Sequence, residues 1–313
     1  MLEKLGVESI RLDLPFRLNH VNCFMAESEN GWTIIDAGLN NSETREFWDE
    51  RIGNRRIETI FITHYHPDHF GYAGGLQGKT GAQLRMSKID AELGSVSWKP
   101  EFMETMPNQY SASGVPVEMA KKMVQNTVNF QQLVNPLPKI DHYLVEGERI
   151  QIGRYEYEVI HTPGHSDGMV CFYNKEKNVL FSADHILPKI TPNISYWFHG
   201  QENPLALYLA SLEKIKQLNA DFVIPSHGKP FYGANERIVE LIKHHEARLD
   251  ETKEVLEAPS TVFQICERLF KRSLTVHEMR FAVGETLAHL EFLRHSGECV
   301  RNRDQNAWIY EKV

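Results

Sequence analysis

The sequence predicts an α/β fold whose functional side chains gather where apolar strands end. Three observations carry that reading. The stretch Thr63-His64-Tyr65-His66-Pro67-Asp68-His69 follows an apolar strand pattern, Ile57 to Ile62, and runs into a helix opening, Phe70 to Leu76. The same succession of apolar strand, ligand-type side chain and then glycine or helix recurs at Asp36, His165, Asp184 and His227. Beyond residue 232 the pattern changes to a long charged helix and a small compact unit, so the chain divides into a large domain (1–232), a linking helix (233–258) and a small domain (259–313). Sites of open α/β sheets are usually built at the carboxyl ends of the strands, which is where this succession puts its polar residues.

Taken in order, Val7 to Leu14, Val21 to Glu27 and Trp32 to Asp36 alternate as strands, and Glu29-Asn30-Gly31 signals a hairpin between the last two. Asp36 ends the third strand just before Ala37-Gly38; it reads as a carboxylate orienting a histidine or the motif backbone, the alternative being a surface turn residue. A helix over Ser42 to Ile52 precedes the motif strand. Residues 82–98 give a short strand and a helix ending near Pro100.

Residues 101–140 form a helical insertion, with a helix over Val117 to Phe130. Four of the nine methionines (Met103, Met106, Met119, Met123) fall within it. Flexible Met side chains suit an adaptable wall over a site, and equally suit packing the insertion onto the body. Strands resume over Tyr143 to Ile160, with turns at Glu146-Gly147-Glu148 and Ile152-Gly153. The last of these strands leads into His161-Thr162-Pro163-Gly164-His165, where His165 is the preferred ligand candidate and His161 the alternative. Val179 to Ala183 is a strand stopping at Asp184, Leu205 to Leu218 an amphipathic helix, and Phe222 to Pro225 a strand followed by Ser226-His227.

Three histidines and an aspartate within six positions point to metal. Neutral imidazole nitrogens and carboxylate oxygens are the donors that Zn²⁺, Mn²⁺ and Fe²⁺ accept. Pro67 stiffens the turn that carries them. A carboxylate at Asp184 has two oxygens and can serve two ions at once.

Composition narrows the rest. At 42% hydrophobic and 24% charged, the chain reads as an ordinary globular protein rather than a disordered or fibrous one. Its net charge of −8 gives no general pull toward nucleic acid or anionic membranes. No run of about 18 apolar residues exists, so no segment is expected to span a bilayer. The N-terminal residues lack a basic start followed by an apolar stretch, and Cys23, Cys171, Cys266 and Cys299 are scattered. Both features fit a cytoplasmic enzyme with reduced, buried thiols.

The order Asp36, HxHxDH, His165, Asp184, His227 resembles the metallo-β-lactamase superfamily of hydrolases, over about residues 7–232. The resemblance implies a four-layer αββα sandwich with the site at one edge. It implies two divalent ions, zinc first, with manganese and iron as alternatives: His64, His66 and His165 on one, Asp68, His69 and His227 on the other, and Asp184 bridging. It also implies a hydroxide held between the ions, with Asp68 as proton acceptor. The closest patterns are glyoxalase II, lactonases and lactamase-beta-2-like hydrolases. The commonest true β-lactamases carry a cysteine near the Asp184 position, absent here, and flavodiiron proteins carry a carboxylate where His66 stands. Ser226 departs from the glycine usual before the last histidine, which leaves the ligand assignment intact.

The tail has its own signature. After a helix over about Ala234 to Leu256, three helices are expected: Val262 to Phe270, one opened by the capping box Thr275-Val276-His277-Glu278, and one marked by Leu287, Leu290 and Leu293 that ends at Gly297. Two strands, Cys299 to Arg301 and Ala307 to Tyr310, complete a winged-helix-like unit of the kind lactamase-beta-2-like proteins carry. From residue 245 onward ten Lys or Arg face twelve Asp or Glu, a net of −2. DNA-binding winged helices draw most of their affinity from phosphate neutralisation, so packing or homodimerisation is the expected role. Tyr196-Trp197-Phe198 could wall an apolar group or act as a plain hydrophobic anchor. The expected substrate is a small acyl thioester or ester; a phosphodiester, a lactone and a metal-stabilised regulatory module are the alternatives.

Overall fold

A computed structural model of the chain describes residues 1–313. The first sheet holds β1 (Val7–Asp13), β2 (His20–Glu27), β3 (Trp32–Ile35), β4 (Ile57–Phe61), β5 (Gln83–Ser87) and β6 (His142–Leu144), in that order. The second holds β7 (Arg149–Ile152), β8 (Tyr155–His161), β9 (Val170–Asn174), β10 (Val179–Ala183), β11 (Phe222–Pro225) and β12 (Phe231–Tyr232), ordered β12-β11-β10-β9-β8-β7. Within the first sheet β1, β2 and β3 pair antiparallel, then β3 to β6 run parallel. The parallel steps need crossovers, and helices Ser42–Ile52 and Ala73–Thr80 supply two of them.

Side-chain alternation explains the layering. On β2, Phe24 and Ala26 point into a core cluster shared with Tyr157, Phe172 and Phe181 of the second sheet. Their neighbours Cys23 and Met25 point the other way, into a larger cluster with Trp48 of helix Ser42–Ile52. Both faces of the strand are therefore buried, which is why it reads as a near-continuous apolar run. Phe24 meets Phe181 edge-on at 5.2 Å and Phe61 meets Phe172 at 5.6 Å, closing the space between the sheets. The result is two mixed sheets face to face with helices outside, the αββα arrangement expected.

The topology also gathers the strand ends. β3 and β4 are parallel neighbours, as are β10 and β11, and β8 shares the direction of β10 because both pair antiparallel with β9. Asp36, the histidine motif, His165, Asp184 and His227 thus emerge at one edge. Two cross-sheet bonds pin it: the Asn22 N–H donates to the Ser226 carbonyl at 2.6 Å, and the Val170 N–H to the Thr63 carbonyl at 3.0 Å.

Several expectations need correction. Strand β9, at the centre of the second sheet, has no counterpart among the expected strands. Pro67–Phe70 is itself a helical turn with Pro67 at its first position, so Asp68 and His69 sit on that turn rather than on a loop. In the tail, the second and third expected helices are one continuous helix, Val276–His295. Gly284 within it does not break it; its bare Cα lets the helix lie against Ser195, and its carbonyl accepts the Tyr196 N–H at 3.0 Å. A second capping box, Thr261 with Gln264, opens helix Val262–Leu269. The tail strands are β13 (Ser260–Thr261), β14 (Cys299–Asp304) and β15 (Ala307–Lys312), in one sheet ordered β13-β15-β14. No helix is long and apolar enough to cross a membrane, and all four cysteines are buried and free.

Candidate metal centre

Each of the five strand ends delivers a side chain to the same spot. Nitrogen and carboxylate atoms of His64, His66 and His165 lie within 4.8 Å of one another, as do those of Asp68, His69 and His227, and those of His64, His69 and Asp184. Asp184 stands between the groups: Oδ1 is 3.5 Å from His69 Nε2 and 3.3 Å from His227 Nε2, while Oδ2 is 3.4 Å from His165 Nε2. Asp68 Oδ2 lies 3.7 Å from His69 Nε2 and 3.4 Å from His227 Nε2. His66 Nδ1 and His165 Nε2 are 2.9 Å apart.

The donors fit a metal because nothing in the chain satisfies them. His64 Nε2, His66 Nε2, His69 Nε2, His227 Nε2 and Asp184 Oδ1 are all buried without a hydrogen-bond partner. Buried polar atoms are rarely left so, since each orphan costs about 1–3 kcal/mol. Unpartnered nitrogens of His64, His69 and His227 beside Asp184 Oδ1, with His66 Nδ1 facing His165 Nε2, mark a place for cations.

The far nitrogens are held instead. His69 Nδ1 faces Asp36 Oδ2 at 2.8 Å, His227 Nδ1 the His20 carbonyl at 2.6 Å, and His165 Nδ1 the Asn193 carbonyl at 2.8 Å. Donation from Nδ1 fixes the tautomer with the Nε2 lone pair aimed at the cluster. Asp36 does more. Its Oδ1 accepts the Thr63 N–H at 2.9 Å, and the Thr63 hydroxyl also bonds its carboxylate while facing His64 Nδ1 at 3.0 Å. Asp36 is fully buried and so is no surface turn residue. Its φ of 60° and the 46° of Ala183 before Asp184 put strained backbone at both carboxylates.

Electrostatics follow from the crowding. Burial alone would lower the His69 pKa, but Asp68, Asp184 and Asp36 outweigh it and hold His69 well above its ordinary value. Burial would raise Asp184, yet His227 and His69 pull it well below the usual carboxylate range. His64 and His66 are pushed well down, first by burial and then by neighbouring histidines.

His161 is outside all three groups. Tyr196, Trp197 and Phe198 line a cavity of about 330 Å³ that reaches His66, Asp68, His165 and Asp184. They also anchor the tail: Phe198 stacks on Trp308 at 5.5 Å, and Tyr196 meets its edge at 6.3 Å. Met103, Met106 and Met123 are all buried in the core, and Met106 also lines the cavity.

Sequence reasoning missed residues that act across long separations. Buried Asp90 accepts from the Tyr65 N–H at 3.1 Å, the Ser166 hydroxyl at 2.7 Å and the Gly168 N–H at 2.6 Å, tying the histidine motif to the His165 loop. Asn22 donates to the Gly228 carbonyl at 2.8 Å beside His227. His277, Arg280 and Phe281 of the tail helix also line the cavity. Arg280 left a signal: it interrupts an apolar stripe of Val276, Val283 and Leu287 at helical spacing.

The sequence pattern of the metallo-beta-lactamase superfamily matches residues 17–227. The chain belongs to that superfamily. Residues 249–313 match the metallo-beta-lactamase-like C-terminal domain, starting within the long helix Ala234–Val255. The probable metallo-hydrolase YqjP of Bacillus subtilis is 25% identical over 98% of this chain and 98% of its own length. A beta-lactamase domain protein from Burkholderia ambifaria, of known crystal structure, is 33% identical; the match covers 98% of this chain and 92% of that one, with a TM-score of 0.89. More distantly, the superfamily likeness extends to the atrochrysone carboxyl ACP thioesterase AacuM of Aspergillus aculeatus, 23% identical over 71% of this chain and 55% of that protein.

Proposed function

We propose that the chain is a metal-dependent hydrolase of acyl esters, with a thioester as the favoured substrate. The observation that carries this reading is the cavity beside the ligand cluster. Its walls include Phe16, Leu39, Met106, Phe130 and Trp197, and its cationic side chains other than histidine are Arg17 and Arg280. Such walls suit an acyl chain. They offer no basic track for a polynucleotide, whose binding rests on phosphate neutralisation. The likeness to a thioesterase supports the same substrate class.

His64, His66 and His165 would hold one divalent ion, Asp68, His69 and His227 a second, and Asp184 would turn one oxygen toward each. Zinc suits these donors, and manganese or iron would be accepted by them. Divalent ions bound there supply Lewis acidity and a water acidified to near neutral pH. The chain's own groups do the rest. Asp68, its side chain 19% exposed beside the cavity, takes the proton. Tyr196, Trp197 and Phe198 exclude water from the acyl portion. Helix Val276–His295 of the tail closes the cavity, so the winged-helix-like unit serves as a wall rather than a nucleic-acid reader.

The test compares an acyl thioester with a generic phosphodiester on one zinc- or manganese-loaded preparation, with His66→Ala as control. Thioester turnover that disappears in the variant is the expected result. Phosphodiester turnover without thioester turnover would overturn the reading.

A further inference from the structure

Arg280 lies in the cavity wall, 9% exposed, with no acidic side chain paired to it. Its one hydrogen bond to the protein runs from Nη1 to Thr127 Oγ1 at 2.8 Å. Nε is buried with no partner. A guanidinium has five N–H donors, so four are left over. The rings of Phe130 and Phe281 flank it, with centroids at 5.6 Å and 5.0 Å, and ring faces satisfy a cation only partly. Burial works against its charge, and the phenols of Tyr110 and Tyr65 at the same cavity, themselves raised by burial and so neutral near pH 7, supply no counter-charge.

A buried cation without a counter-charge is costly, and folded proteins pair such groups or place them where a ligand pairs them. Nothing else in the wall offers a second buried positive charge. His277 and His199 are both held to about 4, by burial and, for His277, by Arg280 itself, so they are neutral near pH 7. One charge with a planar fork of donors matches a carboxylate, which accepts two parallel N–H bonds, better than a phosphate dianion.

We infer that Arg280 binds a carboxylate carried by the substrate apart from the bond that is cleaved, with Thr127 and Tyr110 beside it. The substrate class is then an acyl ester or thioester whose acyl chain bears its own carboxylate. This rests on the acyl-hydrolase reading for the chemistry, though not for the binding.

Two measurements separate them. Calorimetric binding of hexanoate to the metal-loaded protein is compared among wild type, Arg280→Gln and Arg280→Lys, each first checked for folding by thermal unfolding. The expected result is a loss of at least about tenfold in affinity for Arg280→Gln, the factor that 1.4 kcal/mol represents, and a smaller loss for Arg280→Lys. Unchanged affinity in Arg280→Gln would mean that hexanoate sits on the metals, and overturns the inference. Should Arg280→Gln not fold, Tyr110→Phe is read in the same assay: a several-fold loss supports the site, and no change counts against it. Separately, kcat/KM is measured for hexanoyl and ω-carboxyhexanoyl thioesters of one thiol. A wild-type preference for the carboxylated chain that vanishes in Arg280→Gln is expected; equal use of both would overturn the substrate class. Hexanoate binding that depends on Arg280 without any thioester turnover would sink the hydrolase reading while leaving the anion site standing.

Discussion

Asp36 and His69 form a fully buried pair, with carboxylate Oδ2 2.8 Å from imidazole Nδ1, and the other carboxylate oxygen of Asp36 accepts the Thr63 backbone N–H. One side chain thus aims a histidine and fixes the start of the histidine motif. Asp36→Asn keeps the size but gives up the charge and one acceptor. Affinity for the ion that His69 would hold is expected to fall about 10–100-fold, the usual cost of losing such a partner. Competition against a chelator of known affinity measures it, and unchanged affinity would remove Asp36 from the account.

The same carboxylate cluster makes metal uptake pH-dependent. In the metal-free protein His69 is held well above its ordinary value of 6.5 by Asp68, Asp184 and Asp36 against the effect of burial. His227 is raised as well, chiefly by Asp184, again against burial. Their charged forms stabilise the metal-free fold fully below pH 6.5, and that contribution is lost as pH rises through the raised values. Ligation requires the neutral imidazole, so metal uptake near pH 7 expels protons and apparent affinity rises with pH. Calorimetry in buffers of different ionisation enthalpy reads the release directly. Uptake with no proton released would contradict the assignment of these histidines.

Asp90 predicts an effect on stability rather than on chemistry. Burial raises its carboxyl to about 6 from 3.8, although the Ser166, Gly168 and Tyr65 donors work the other way. A carboxyl raised on folding costs stability as it ionises, so the penalty is absent below pH 3.8 and complete above about 6. Removing it leaves three donors without an acceptor, and Asp90→Ala is expected to lose about 3 kcal/mol in urea unfolding at neutral pH. It also frees the loop that carries His165. A variant as stable as wild type would show that the motif and that loop are held by something else.

The sandwich and the gathering of these His and Asp side chains at its edge were legible because their signals are local. A strand's burial shows in its own residues, and HxHxDH puts four donors within six positions. His165, Asp184 and His227 could be found because each directly follows an apolar strand. What stayed hidden depends on contacts between distant segments. Asp90 is an unremarkable acid on a helix until Gly168 and Ser166 fold onto it. Arg280 is one of 34 basic residues until the tail packs against the insertion. Strand β9 is as fully buried as β10, but it ends in Asn174-Lys175 rather than at a ligand-type side chain, so nothing at its end marks it. Gly284 gives no local hint of its purpose, which appears only where Ser195 packs against its bare Cα.

The central claim is a metal-dependent acyl hydrolysis at a centre that Asp184 shares between two ions. The direct measurement titrates metal-free protein with zinc while following both bound metal and hydrolysis of an acyl thioester, in wild type and Asp184→Ala. The account predicts turnover that rises to a plateau at two equivalents in wild type, is abolished by chelator, and is nearly absent in a variant that retains one equivalent or less. Full turnover by an Asp184→Ala protein carrying both ions, or turnover that survives chelation, would contradict it.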